Sequence, residues 1–327
     1  FGLYFSNDGA RNWQELTALP TIAVRDLEIQ RREGDLVVTT FGRGFYILDD
    51  YAPLRTKASD LESGAALFPV RDSWLYNPDS RRGWGGKGDW GTGRYTADNP
   101  PYGAVFSYFL AEDLQSLKDQ RREAEKERAK SGEDNPYPSW EQLRKEDREE
   151  APSITMTIRD ASGNVVRRIS GPAGKGFHRA AWDMRYPAPD PVNLKPESDR
   201  PPWASPPQGP MVLPGRYSVT LSKRVQGELE QIAGPREFEL KPLFSGGLVA
   251  DDRDDVLRFQ AETAQLYRAV MGANRAVGEI ETRIEHLMKA VEDTPSASTE
   301  QAGAVRSLNA RMVDLQVRLS GDRSLSR

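Results

Sequence analysis

Two histidines, His178 and His286, and no cysteine are all that the chain offers for imidazole or thiol chemistry. Disulfides, thiolate metal sites and cysteine nucleophiles are excluded, and two histidines far apart in sequence leave little for imidazole-based metal or triad chemistry. His178 lies in the alternating run Phe177-His178-Arg179-Ala180-Ala181-Trp182-Asp183 with no spaced partner, so it reads as a strand residue. Asp49-Asp50 invites a glycosidase reading, because retaining and inverting hydrolysis both use two carboxylates. Adjacent strand residues point to opposite faces, however, so this pair reads as closing the turn into Pro53-Leu54-Arg55. Gly86-Lys87-Gly88-Asp89-Trp90-Gly91 matches a phosphate-cradling string. No strand precedes it and no helix follows, which removes the context that dinucleotide binding needs. The surrounding loop carries Trp84, Trp90, Arg94 and Tyr95, which could stack on a sugar ring and hydrogen-bond its hydroxyls or carboxylate. The simpler reading is a loop pinned by its tryptophans at a domain junction, and it is the one favoured. No catalytic residue, metal ligand or cofactor is assigned.

At 327 residues the chain should hold two or three domains. Lys+Arg 45 against Asp+Glu 49 leaves a net charge of -4, without the basic excess that neutralises a nucleic-acid backbone. No apolar run approaches a membrane span. The first residue is Phe1, inside a strand-like run, so the sequence reads as part of a longer protein.

The elements that must position these residues change along the chain. Residues 1–57 hold short β runs punctuated by turns, at the spacing of an antiparallel array. Residues 58–101 read as a Gly/Pro-rich linker loop. Residues 102–242 return to strands, six or seven in all, as in an immunoglobulin- or fibronectin-III-like β-sandwich. That region is interrupted at 111–150 by a charged helical insertion with 13 acidic and 9 basic residues. The proline-rich stretch Pro187 to Pro214 reads as a long surface loop. From 251 to 320 the period becomes helical: Val256, Phe259, Thr263, Leu266, Val270, Ala273, Val277, Ile280, Ile284, Leu287 and Val291 recur at steps of three and four. A break at Thr294-Pro295-Ser296 precedes a second stripe, Ala302, Val305, Leu308, Met312, Leu315 and Leu319, which predicts an antiparallel hairpin. Its pairing should set Leu266, Val270, Val277, Ile284 and Leu287 against Val305, Leu308, Met312 and Leu315, leaving Phe259 and Tyr267 to dock elsewhere.

Ser6-Asn7-Asp8-Gly9-Ala10-Arg11-Asn12-Trp13 resembles an Asp-box, the turn signature of BNR-repeat β-propellers in sialidases, sortilins and glycosyl hydrolase-like proteins. Ser6, Asp8, Gly9 and Trp13 fall at the usual places, while Ala10 stands where a second Gly is typical and Asn12 where Thr is typical. A short carboxylate there bonds the N–H groups of the turn and the Trp packs between sheets, so the box is structural. Val24 to Asp50 resembles the closing blade of large bacterial propellers, with Phe41 where those relatives carry His. Ala97 to Ala104 and Pro214-Gly215-Arg216-Tyr217 resemble the tail of the same family.

The resemblance implies the end of a β-propeller, then the sandwich and the helices, and it covers nearly the whole chain. It implies a noncatalytic accessory region of a propeller protein that binds carbohydrate or protein. The alternative is the C-terminal part of a glycoside hydrolase whose acid and base lie in upstream blades. It also implies an exported, periplasmic or secreted location. The helical hairpin is expected to pack within the chain, with self-association as the other outcome.

Overall fold

The computed structural model describes residues 2–17, 19, 21–56, 61, 64–78, 99–192, 206–243, 252–322 and 325. The chain is β-rich with added helices and divides into two units, Phe1–Arg185 with Val212–Val249, and Tyr186–Met211 with Ala250–Arg327.

In the first unit, β1 (Tyr4–Phe5) and β2 (Gln14–Glu15) form a hairpin, and β3 (Val24–Gln30), β4 (Asp35–Thr40) and β5 (Phe45–Leu48) form an antiparallel meander. Register sets Leu27 opposite Val38 and Tyr46, and Ile29 opposite Leu36 and Leu48, so one face is apolar throughout. The other face carries Val37 opposite Ile47, with Phe45 a residue pair away. Val38 is 1% exposed, whereas Phe45 and Ile47 are 75% and 61% exposed.

A five-stranded sheet, ordered β10-β9-β12-β13-β7, faces a three-stranded one, β11-β8-β6. Its strands are β9 (Ser153–Asp160), β10 (Val165–Gly171), β12 (Gly215–Val225), β13 (Glu228–Pro242) and β7 (Ser73–Leu75). The smaller sheet is β11 (Gly176–Trp182), β8 (Ala104–Leu110) and β6 (Ala65–Leu67). Alternate residues of each strand point inward: Phe106 and Tyr108, Ile154, Met156 and Ile158, Val219 and Leu221 are all fully buried. Rings join the sheets, with Phe106 and Phe238 centroids 5.5 Å apart and Trp182 and Tyr217 5.6 Å apart. Burying each such side chain contributes about 1.5–3 kcal/mol, so this is where the unit's stability is concentrated.

The 58–101 stretch, expected as a linker, supplies β6 and β7. β7 pairs with β13 in parallel within the five-stranded sheet, whereas the strands of residues 1–57 pair antiparallel as expected. Each strand is three residues long, too short to show an alternating pattern, and each forms because a preformed neighbour offers it a ladder.

The insertion between β8 and β9 is two helices, α1 (Leu117–Lys130) and α2 (Trp140–Arg148), each opened by a serine capping box, at Ser116 and Ser139. Arg121 pins them, donating to both carboxylate oxygens of Glu146 at 2.6 and 2.9 Å and to Glu125 at 2.7 Å.

The second unit holds α3 (Arg253–Asp293), α4 (Thr299–Ser320) and a proline-rich segment tied to α3 by Arg268, which donates to the Ala188 carbonyl at 3.1 Å. Asp254 and Asp255 suit the positive end of α3, and Ser298 caps α4. The two helices pack together, with Ile284 and Met312 buried. Of the expected pairing Ile284 and Met312 are buried, while Leu287, Leu308 and Leu315 remain 43–48% exposed. Leu266 is 67% exposed and Val270 42%, because α3 has 41 residues and α4 only 22.

Candidate functional site

The Ser6–Trp13 turn, which resembles an Asp-box, is the site the sequence marks most clearly. Asp8 Oδ1 accepts the Ser6 hydroxyl at 2.8 Å and the backbone N–H groups of Arg11 and Asn12 at 3.1 and 3.0 Å. Its Oδ2 accepts the Asn12 side-chain amide at 2.6 Å. Ser6 Oγ in turn accepts the Ala10 N–H at 2.9 Å. The Asn12 backbone and side-chain hydrogen bonds, followed by that of Ser6, hold the Asp8 carboxyl down at about 2. Asp8 is thus a turn anchor with both oxygens engaged, its charged form favoured by the hydrogen bonds it accepts. Gly9 has φ +76, in the left-handed region. Ala10 also does, at φ 67, where the resemblance expects glycine. Trp13, expected to pack between sheets, is 61% exposed.

Beside this hairpin runs an apolar groove of about 390 Å³, lined on one side by Leu3, Tyr4, Phe5 and Leu16 and on the other by Leu27, Ile29 and Leu36. Its polar end is Tyr51 with Arg55, whose guanidinium lies 4.5 Å from the Tyr51 ring.

A second cleft, about 270 Å³, opens where the 48–54 turn meets the outer side of β8 and β11. Two arginines rivet that junction. Arg179 donates to the carbonyls of Asp49 and Asp50 at 2.5 and 3.0 Å, and Arg71 to the Glu33 carbonyl at 3.0 Å and Asp35 Oδ1 at 3.2 Å. The Asp50 carboxylate accepts the Ala52 N–H at 3.1 Å, so it is occupied within the turn, and Asp50 adopts φ 50 to make that turn. The Asp50 carboxylate thus serves the turn, while Asp49 contributes its backbone carbonyl.

Ser107 lines the same cleft, 5% exposed, with a buried hydroxyl that has no partner among the described residues. Register places Ser107 opposite Arg179 and Tyr108 opposite His178, so the serine and histidine side chains leave opposite faces of the sheet. His178 Nε2 lies 2.5 Å from the Gly174 carbonyl and its ring 5.3 Å from that of Tyr108. A serine–histidine nucleophile pair cannot form in this pleat. What the cleft can do is hold a small, largely apolar group against one hydroxyl. Ser107, Arg179 and Arg71 had no sequence signal, because their roles depend on strand register across more than one sheet. Trp84, Trp90, Arg94 and Tyr95 lie outside the described residues.

No group of three metal-ligating side chains forms among the described residues, and among them no helix is long and apolar enough to cross a membrane. Burial pushes the Tyr108 hydroxyl up to about 12, and it donates to the Pro172 carbonyl at 2.6 Å.

No protein-family model matches the chain, and no curated protein matches its sequence. Among solved structures, it is similar at 12% identity and a TM-score of 0.18 to PorZ, an essential bacterial surface component of the type-IX secretion system of Porphyromonas gingivalis. The likeness covers 71% of this chain and 24% of that one. None of these comparisons names the Asp-box or sortilin-like families that the sequence resembles.

Proposed function

We propose that the chain is a noncatalytic accessory region of an Asp-box β-propeller protein that binds carbohydrate or protein outside the cell interior. The observation that carries this reading is the β3–β5 sheet, which is apolar on one face and carries exposed apolar side chains among the polar ones of the other. Leu27, Ile29, Leu36 and Val38 line one, and Val37, Phe45 and Ile47 interrupt the other. An isolated two-layer domain needs one such face, whereas a propeller blade is stacked between two others and needs both. The β1–β2 hairpin with its Asp-box supplies one neighbouring layer, across the groove.

The sandwich supports an immunoglobulin-like domain in the same protein. Tyr217, just inside β12, donates its hydroxyl to the Leu213 carbonyl at 2.7 Å, the contact of a tyrosine corner, and it packs on the buried Trp182. The Asp-box carboxylate and Asp50 are both committed to turns, which favours a supporting role over hydrolysis. The test is turnover of aryl glycosides by the longer protein that carries this region. No hydrolysis together with saturable glycan or protein binding is expected. Hydrolysis abolished by mutating a carboxylate of the propeller channel would replace this reading with that of a glycoside hydrolase.

A further inference from the structure

We propose that the N-terminal half of α3 pairs antiparallel with the same segment of a second copy of the chain. The stripe from Val256 to Val291 repeats at the 3.5-residue spacing of a coiled-coil seam, so one partner line should cover its whole length. At 1.5 Å per residue α3 is about 62 Å long and α4 about 33 Å. With Ile284 and Met312 buried in the hairpin, α4 runs out near Val277. Beyond that point Phe259 is 69% exposed and Leu266 67%, whereas in the paired half Ile284 is 5% exposed, Ile280 43% and Leu287 47%.

The N-terminal half is complementary to itself. Antiparallel pairing about a two-fold axis between Ala264 and Gln265 sets Val256 against Ala273, Phe259 against Val270 and Thr263 against Leu266, a larger residue meeting a smaller one in every layer. Parallel pairing would stack Phe259 on Phe259 and Ala273 on Ala273, with overpacking at one layer and a void at another. The flanking acidic residues, Asp255 and Glu262, fall opposite Ala276 and Ala269 in the antiparallel register, so no like charges meet. Arg268 and Arg275 donate instead to carbonyls of the proline-rich segment, at Ala188 and Val192, and that segment flanks the seam at one edge, where Pro189 and Pro207 line a groove with Phe259 and Thr263. On the seam of this half Val256, Phe259, Leu266 and Val270 are 42–69% exposed. In the pair, α4 of one copy ends where α3 of the other begins, and the two cover the seam end to end.

The chain has no cysteine, which permits an unambiguous cross-linking test. Thr263→Cys and Leu266→Cys proteins, mixed and oxidised, should form the mixed disulfide well ahead of either same-site disulfide. Sedimentation up to about 100 µM should show the 36.6 kDa chain in reversible association to twice that mass. Phe259→Asp with Leu266→Asp should remove the dimer while leaving helical circular dichroism unchanged. A monomer at all concentrations, a dimer that survives the double substitution, or same-site disulfides as the main product would each overturn the proposal. If the double variant loses helicity, the cross-linking pattern alone decides.

Discussion

Asn12 grips both oxygens of Asp8, its backbone N–H donating to Oδ1 at 3.0 Å and its side-chain amide to Oδ2 at 2.6 Å. The turn is therefore built around an ionised carboxylate, and its integrity is linked to that ionisation. The folded pKa of about 2 lies below the ordinary aspartate value of roughly 3.9. Such a group contributes stability that is fully present above the unfolded pKa and is lost as pH falls through the folded one. The Asn12 amide resonances should hold steady down to about pH 4 and shift with a midpoint near 2. A midpoint close to 4 would mean that the hydrogen bonds do not favour the charged form.

Ala10 is the one position of the box where the chain bears backbone strain. Its φ of 67 lies in the left-handed region, which costs an L-residue about 1–2 kcal/mol, partly offset by the greater unfolded-state freedom of glycine. Ala10→Gly should raise stability by about 0.5–1 kcal/mol in urea unfolding, where Gly elsewhere normally destabilises.

Gly103 presses on the backbone of β11. A Cβ there would stand 1.9 Å from the Trp182 carbonyl oxygen, and its φ of +111 is foreign to other residues. Gly103→Ala should cost at least about 2–3 kcal/mol and weaken the β8–β11 ladder, read as faster amide exchange at Ala104 and Trp182.

The α1–α2 insertion depends on Arg121 and the Glu146 carboxylate, whose pKa is lowered mainly by its hydrogen bonds to that guanidinium. Glu146→Gln should release α2 from α1, seen as faster exchange over 140–148, with the sandwich core unaffected. The difference from the native protein should shrink in high salt.

Ser107 offers a simpler check on the junction cleft. Its orphan hydroxyl means that Ser107→Ala should be neutral or stabilise by about 1 kcal/mol, whereas a hydroxyl engaged by protein should make the same change destabilising.

What could be read from sequence was local. Ser6, Asp8 and Asn12 lie within one turn, so their spacing carried their geometry, and the α3 stripe declared itself through its period. β6 and β7 were not legible, because three residues show no alternation and β7 pairs with β13 some 165 residues away. The reach of the hairpin was misread at Leu266 and Val270, since apolar period reports which face is buried and not how far a partner extends. Arg179 and Ser107 gained meaning only when register set them side by side.

The central claim is that the β3–β5 sheet belongs between two other layers. In a chain without cysteine, Phe45→Cys and Ile47→Cys report on that directly, because these positions are 75% and 61% exposed in the isolated region. Maleimide labelling of each thiol should be rapid in the 327-residue chain and at least about tenfold slower in the longer protein, where an adjoining blade covers that face. Equal labelling rates in the two would contradict the account.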